Sequence, residues 1–440
     1  MTAAPPVQEA PPAAPGVLRR HAVTLVFLAP AIFFLGLWIV YPTVRTIIRS
    51  FFDRKGDKFV WFDNYKSIFT SDFIVTAIKN NAIWIGVVPA LVTAIGLIFA
   101  VLTERVSWAV AFKTVVFMPM AISLFAAGVI WRVMYQKEPG RGAVNAGIAV
   151  VADGINPPGA LSDALPSTAS LTGSPATGLT LQRPVHPGQT VALGLTGIPP
   201  EQVPGSAKQA AAPKPVGNGI AGVVWRDFKP GGGTPGKVEP GEVGLPGVKV
   251  VLRDAQGKSA GSATADDTGR FAFTDLKPGD YRVAIGASTF RKPFGGVSWL
   301  GPKLITPALI LAYIWVWAGF AMVVIAAGLA AIPRDVLEAA RTDGATEWQT
   351  FRRVTVPLLA PVLSVVFITM VINVLKVFDI VLSVAPGSVQ DDANVIALAM
   401  WRTAFGGVND FGLGSALAVF LLVLVIPVLA LNVRRFRREL

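Results

Sequence analysis

Few residues in this chain have types and spacings that suggest chemistry, and most fail a closer reading. Gly231-Gly232-Gly233-Thr234-Pro235-Gly236-Lys237 has the glycine, four-residue gap and Gly-Lys of a phosphate-binding loop. Val238 stands where a Ser or Thr hydroxyl would hold magnesium, and the surrounding Pro/Gly-rich stretch reads as a flexible loop. Asp266 and Asp267, before Thr268-Gly269, offer carboxylates for calcium, but the D-x-D-x-D spacing is missing and Asp-Gly also suits a β-turn. His21 and His186 are far apart and cysteine is absent, which argues against a His centre, a thiolate site or a disulfide framework. No Ser/His/Asp or Glu/His constellation assembles, so no catalytic residue and no metal ligand is expected. What remains is polar order inside an apolar chain. LEAARTDGATEWQTFRRVTVPLL (337–359) separates two uncharged runs, and Ser364, Thr369, Asn373, Lys376 and Asp379 lie within or just beyond the second run.

The elements that position these residues are set by composition. Of 440 residues, 52% are hydrophobic and only 15% charged, where soluble domains carry about a quarter charged residues. A multi-span membrane protein is therefore expected. The net charge of +12 reads as arginine and lysine gathered in cytoplasmic segments rather than as a nucleic-acid footprint, since no basic stripe interleaved with aromatics is present. Crossing the bilayer takes about 20 apolar residues of helix. Six windows qualify or nearly do: 22–41, 81–102, 115–131, 304–332, 356–375 and 413–433. The first has a basic flank like a signal peptide, but its length and the lack of a small-residue cleavage site favour a retained span.

Six spans place both termini on one side. The tail NVRRFRREL carries four arginines, Arg19 and Arg20 precede the first span, and Arg334, Arg341, Arg352 and Arg353 lie between spans four and five. All three segments share a face, read as cytoplasmic under the positive-inside rule. One loop dissents. Residues 42–71, assigned to the outside, contain Arg45, Arg49, Arg54, Lys55, Lys58 and Lys66.

A long outside segment separates spans three and four. Residues 151–216 are rich in Pro, Gly and Ala and read as a linker with weak strand potential at TVALGLTG. From Gly217 to Ser288, IAGVVWRDF, VKVVLRD, GRFAFTDL and GDYRVAI alternate with LPG, DAQG, DDTG and KPGD, the rhythm of a small β-sandwich. GLPGVKVVLRD and DDTGRFAFTDLKPGDYRV resemble the B-type repeat and prealbumin-like modules of bacterial surface proteins. The full division is a disordered cytoplasmic tail (1–18), three spans (19–150), linker (151–216), extracytoplasmic sandwich (217–288), and three spans with a connecting loop at 333–357 (289–440).

In that loop Pro333 and Asp335 suit the start of a helix, Gly344 its break, and 347–354 a second amphipathic helix ending as the next span begins. Both are too short to be stable alone, so they must dock on something. Glu338-Ala339-Ala340, three residues, Gly344, nine residues, then Val354-x-Val356-Pro357 resembles the EAA loop of ABC importer permeases, E-A-A-x3-G-x9-I-x-L-P, with Val for both Ile and Leu. Asp343 before the glycine and AIPRDVLEAARTDGA resemble the binding-protein-dependent sugar permeases in particular. SFFDRKGDKFVWFDNYKSIF (50–69) is similar to that family's first outside loop, with Trp61 in place of a glycine, and VVFMPMAISLFAAGVIWRVMY (115–135) to its third span. PGRGAVNAGI and FGGVSWLGP look like two halves of one family loop, parted by the insertion.

The resemblance implies an all-α polytopic permease of the type I ABC importer fold in a bacterial inner membrane, with the β-sandwich inserted outside. It implies a permease subunit for a sugar or oligosaccharide, not an enzyme. Glu338, Ala339, Ala340, Asp343, Gly344 and Pro357 would dock a cytoplasmic ATPase dimer. ATP and magnesium would be bound there, and this chain would bind no cofactor. The other implied partners are a second, homologous permease, an outside solute-binding protein and the bilayer; nucleic acid is not one. Thr369, Asn373 and Lys376 are candidates for the solute pathway, with interhelical hydrogen bonding, or an ion pair between Lys376 and Asp379, as the plainer reading. Two other functions stay open: import of a non-sugar solute such as glycerol phosphate or an osmolyte, and a membrane-anchored adhesion or receptor protein.

Overall fold

The computed structural model describes residues 17–104, 106–159 and 161–439, with side chains from Thr24 to Ala430 apart from Leu25. Residues 1–16 of the tail expected to be disordered, and the arginine side chains at both ends, lie outside that description. Two compact units emerge, one from residues 1–132 and 299–440 and one from 133–298.

In the first unit five helices are long and apolar enough to cross a membrane: Val26–Arg49, Asp72–Glu104, Ile305–Ala330, Glu347–Leu375 and Phe411–Ala430. Lipid offers backbone groups no partner, so apolar runs of this length satisfy them internally as helix. The third expected span is a broken pair, Ala109–Ala121 and Leu124–Met134, bent by 102°; the count is six if the pair is one crossing. The break is local. Residues Met118–Ala121 tighten into a 3-10 turn around Pro119, Ile122 is extended (φ −91°, ψ 141°), and Ser123 Oγ accepts from Ala126 N at 3.2 Å to restart the helix.

Ile305–Ala330 is the centre of this unit, with 67% of its apolar window buried, whereas that of Val26–Arg49 is 0% buried. Small residues bring the central helix close to its neighbours: a Cβ on Gly319 would meet Val116 O at 2.2 Å, and one on Gly96 would meet Ala321 Cβ at 2.5 Å. Trp84 packs edge-on against Tyr313 at 5.3 Å. Polar stitching adds to this. Buried Asn80 donates to Asp392 O and Asn394 O, both at 2.8 Å, while Asn81 Oδ1 accepts from Ile396 N at 2.7 Å. Asn394 Nδ2 returns to Phe73 O at 3.1 Å, so segment 392–396 is held to the helix Asp72–Glu104.

Two helices contain a π-helical turn, Gly36–Val40 and Phe351–Thr355, each ending two residues before a proline, Pro42 and Pro357. Proline removes one amide donor and crowds the carbonyl four residues back; a widened turn absorbs both effects.

The second unit holds a helix, Ala143–Ile155, and two five-stranded sheets. One contains β1 (Leu165–Pro166), β4 (Thr190–Thr196), β5 (Ile220–Arg226) and β6 (Val243–Gly244) in that order, with β9 (Arg270–Phe273) also on β5. The other runs β2 (Leu171–Ser174), β3 (Gly178–Leu181), β10 (Tyr281–Ile285), β7 (Lys249–Asp254), β8 (Ser259–Thr264). Only β4–β5 is parallel among these pairs. Leu179, Leu193, Val224, Val250, Leu252, Val283 and Ile285 share one apolar core drawn from both sheets.

Residues 165–196, read from composition as linker, thus supply four strands. Leu171, Leu181, Val191 and Leu195 bury apolar side chains there; β2 and β3 form a local hairpin, but β3 and β4 also pair with the distant β10 and β5, and the Gly, Pro and Ser between them mask the alternation. At the base of the unit, Asn145 donates to Gln136 O and Val297 O and accepts from Val297 N at 2.9 to 3.0 Å, stitching together the segments before and after the insertion.

Candidate functional site

The polar segment after the central helix folds into a sharp corner. Helix Arg334–Thr342 starts at Pro333, carries Asp335 in its first turn and Arg341 in its last, and so matches the helix dipole at both ends. It stops through a Schellman motif. Gly344 has φ +82°, its N–H reaches Arg341 O at 3.0 Å, and Ala345 N reaches Ala340 O at 3.1 Å. Only glycine takes that left-handed backbone without strain.

The next helix begins at once with a capping box: Gln349 N donates to Thr346 Oγ1, and Thr346 N to Gln349 Oε1. Across the corner Arg341 Nε meets Glu347 Oε1 at 3.0 Å. The second helix does not stop before the span. It passes through the π turn and continues to Leu375, where a separate short helix was expected.

Glu338, Ala339, Asp343 and Gly344 are exposed on this corner, while Leu337 and Ala340 are half-buried. Trp348 is 66% exposed and lines a shallow recess with Gln349, Arg352 and Arg353. Pro357 lies apart from the corner, inside the helix that follows, where it accounts for the π turn. The arrangement is a charged, two-armed projection with the small Ala339 exposed near its apex.

Thr369 and Asn373 are half-buried, four residues apart on the helix Glu347–Leu375, and Lys376 follows as its exposed C-cap. Spacing of four and then three puts all three on one stripe. No ion pair joins Lys376 to Asp379 among the described residues. The asparagine stitch at Asn80, Asn81 and Asn394 was not anticipated; the adjacent pair Asn80-Asn81 at the mouth of an apolar run was its only signal.

The other motifs resolve as structure. Asp266 Oδ1 accepts from Thr268 N, Thr268 Oγ1 and Arg270 N, and against the upward push of burial these bonds hold its carboxyl below the usual range. Asp267 pairs with Lys208 at 3.1 Å, and no cluster able to hold a metal occurs among the described residues.

Residues 271–438 match the family described as the binding-protein-dependent transport system inner membrane component. Over those residues the chain is similar to the binding-protein-dependent ABC transporter permeases. It is a multi-pass permease subunit, not an enzyme. Residues 218–293 match the SdrD B-like domain; the two matches overlap at 271–293, where β9 and β10 belong to the sheets of the inserted unit.

The Osmoprotective compounds uptake permease protein GgtC of Synechocystis is 28% identical over 94% of this chain and 98% of its own length. The alignment therefore runs through the insertion. The Alpha-glucoside transport system permease protein AglF of Rhizobium meliloti is 29% identical over 94% and 82%. The Trehalose/maltose transport system permease protein MalF of Thermococcus litoralis is 38% identical over 32% of this chain and 49% of its own. Among solved structures, a bacterial ABC transporter involved in import of the polysaccharide alginate superposes with a TM-score of 0.56 at 15% identity, covering 96% of this chain and 97% of that one.

Proposed function

We propose that this permease imports a sugar or oligosaccharide and forms half of its transmembrane path. The reading rests most on the exposed corner between Glu338 and Glu347, whose glycine-dependent Schellman turn and capping box fix a docking shape that the chain itself leaves uncovered. A cytoplasmic ATPase dimer would grip the corner through Glu338, Ala339, Ala340, Asp343 and Gly344, with ATP and magnesium bound in that partner. Both termini and the corner face the cytoplasm in this reading. The paired sheets form an extracytoplasmic β-sandwich, an accessory module. A second, homologous permease completes the path, to which Thr369, Asn373 and Lys376 contribute hydrogen-bonding groups. Closure of the ATPase dimer pulls the corner, and the continuous helix from Glu347 to Leu375 carries that motion into the path.

Names of relatives support the substrate class: alpha-glucosides and trehalose/maltose. An alginate importer of the same fold, solved with a pentasaccharide-bound periplasmic protein, supports delivery by an outside binding protein. A second reading, import of an osmoprotective solute, is favoured by GgtC, whose alignment covers nearly its whole length. Uptake by the reconstituted importer of labelled alpha-glucosides, trehalose and compatible solutes separates the two. Saturable, ATP-dependent glucoside or disaccharide uptake supports the first; uptake confined to compatible solutes replaces it with the second.

A further inference from the structure

The basic loop that contradicts the positive-inside pattern lies at the end of the first membrane helix. Residues 42–71 hold six Lys and Arg against Asp53, Asp57 and Asp63. Two of the six, Arg45 and Arg49, are four apart on the helix Val26–Arg49 and so share a face. With Thr46, Ile48, Phe52, Gly56 and Ser415 they line a cavity of about 390 Å³. Arg49 Nη2 donates to Arg54 O at 2.9 Å, while Nη1 is buried without a partner. Gly56 makes room for that guanidinium: a Cβ there would lie 2.6 Å from Nη1. Asp53, which faces Arg49, spends Oδ1 on the N–H groups of Gly56, Asp57 and Lys58. Neither arginine belongs to an ion pair among the described residues.

Depth in the bilayer identifies the missing anion. The uncharged run from Ala22 to Val44, between Arg20 and Arg45, is about 34 Å long at 1.5 Å per residue, enough to cross a hydrocarbon core of about 30 Å. Arg45 and Arg49 therefore emerge at phosphate level. Tyr41, Trp61 and Phe62 are exposed beside them, as aromatic side chains are at a membrane interface. The cavity wall mixes charge with Ile48 and Phe52, as a headgroup joined to an acyl chain requires.

We propose that Arg45 and Arg49 form a binding site for the phosphate of an anionic phospholipid at the membrane surface. The lipid anchors the outer end of the peripheral first helix and supplies the counter-charge the loop lacks. The proposal rests on the membrane placement of this helix and is independent of the solute carried, so solute uptake and lipid binding can fail separately.

The test is the melting midpoint of the full-length chain in detergent, titrated with phosphatidylglycerol, phosphatidylcholine or inorganic phosphate. Phosphatidylglycerol should raise the midpoint with concentration, as any ligand selective for the folded state does, and phosphatidylcholine should do so much less. Arg45→Gln, on an exposed side chain that leaves the fold intact, should weaken the effect, and Arg45→Gln with Arg49→Gln should abolish it. Lys249→Gln, on a strand of the inserted unit, should leave it unchanged. Equal shifts from both lipids, or a phosphatidylglycerol shift that survives in the double variant, would overturn the site. A shift produced by inorganic phosphate alone, and lost in the double variant, would overturn the lipid in favour of a soluble anion.

Discussion

Arg341 and Glu347 meet at 3.0 Å across a corner whose backbone turns through the left-handed Gly344. The pair joins a helix that packs on nothing large to one that continues into the membrane. Both side chains are exposed, so the pair contributes at most about 1 kcal/mol. Its value is orientation. Arg341→Glu should lower coupled transport modestly, Glu347→Arg likewise, and the double exchange should recover most of the loss. Uptake rates normalised to surface level measure this; a double variant no better than the worse single variant would separate the pair from coupling.

Trp61 adopts φ +52°, in the place where the resembled family loop has glycine. A left-handed non-glycine residue costs roughly 1–2 kcal/mol. Its ring packs edge-on against Phe59 at 4.9 Å, a contact worth about 0.5–1.5 kcal/mol. The two nearly cancel. Trp61→Gly should change the melting midpoint little, whereas Trp61→Val loses the ring, keeps the strain and should destabilise clearly. A Val variant as stable as the Gly variant would contradict the strained backbone.

Inside the inserted unit Glu242 is 1% exposed and takes Trp225 Nε1 and Glu239 N on a single oxygen. Burial, with Asp227 nearby, pushes its carboxyl above the ordinary value of 4.5. The folded unit thus keeps a proton that the unfolded chain has released. This stability is full below about 4.5 and declines as pH rises through the raised value. Glu242→Gln keeps an acceptor for Trp225 and needs no proton. Hydrogen exchange across β5 should slow at pH 7 in this variant and lose its pH dependence relative to the parent. Faster exchange at pH 7 would contradict a carboxyl whose burial disfavours its charge.

The asparagine stitch carries a larger cost. Asn80→Leu removes the donor to two carbonyls and strands them in an apolar setting, roughly 1–3 kcal/mol. Residues 391–396 should lose exchange protection first, ahead of the central helix. Uniform loss over the whole membrane unit would show that the stitch is not local.

What could be read from sequence follows the range of the interactions. Apolar runs and the EAA spacing are local patterns, and the helices Asp72–Glu104 and Ile305–Ala330 and the break at Gly344 fall where those patterns put them. The 102° bend near Pro119 was missed because hydropathy continues smoothly through it. Strand β4 falls on the weak strand signal at TVALGLTG, whereas β1 to β3 were missed because the Pro, Gly and Ser around them mask alternation and Leu179 gains its core from β10, about a hundred residues away. The π turns before Pro42 and Pro357 need the backbone to be seen, although the prolines mark them. Thr369, Asn373 and Lys376 share a stripe, and in the proposed function what they meet would belong to a second permease.

Force entry at the corner is the central claim, and Gly344→Val with Glu338→Lys tests it most directly. Valine at φ +82° is strained by about 1–2 kcal/mol or more and should open the corner. The decisive measurement is ATP-dependent sugar uptake by the complete reconstituted importer, with assembly and surface level checked for each variant. The predicted result is at least a tenfold fall in uptake for both variants, with normal insertion of the chain and less ATPase retained on the permease. Normal uptake in both, at normal surface level, would contradict the assignment.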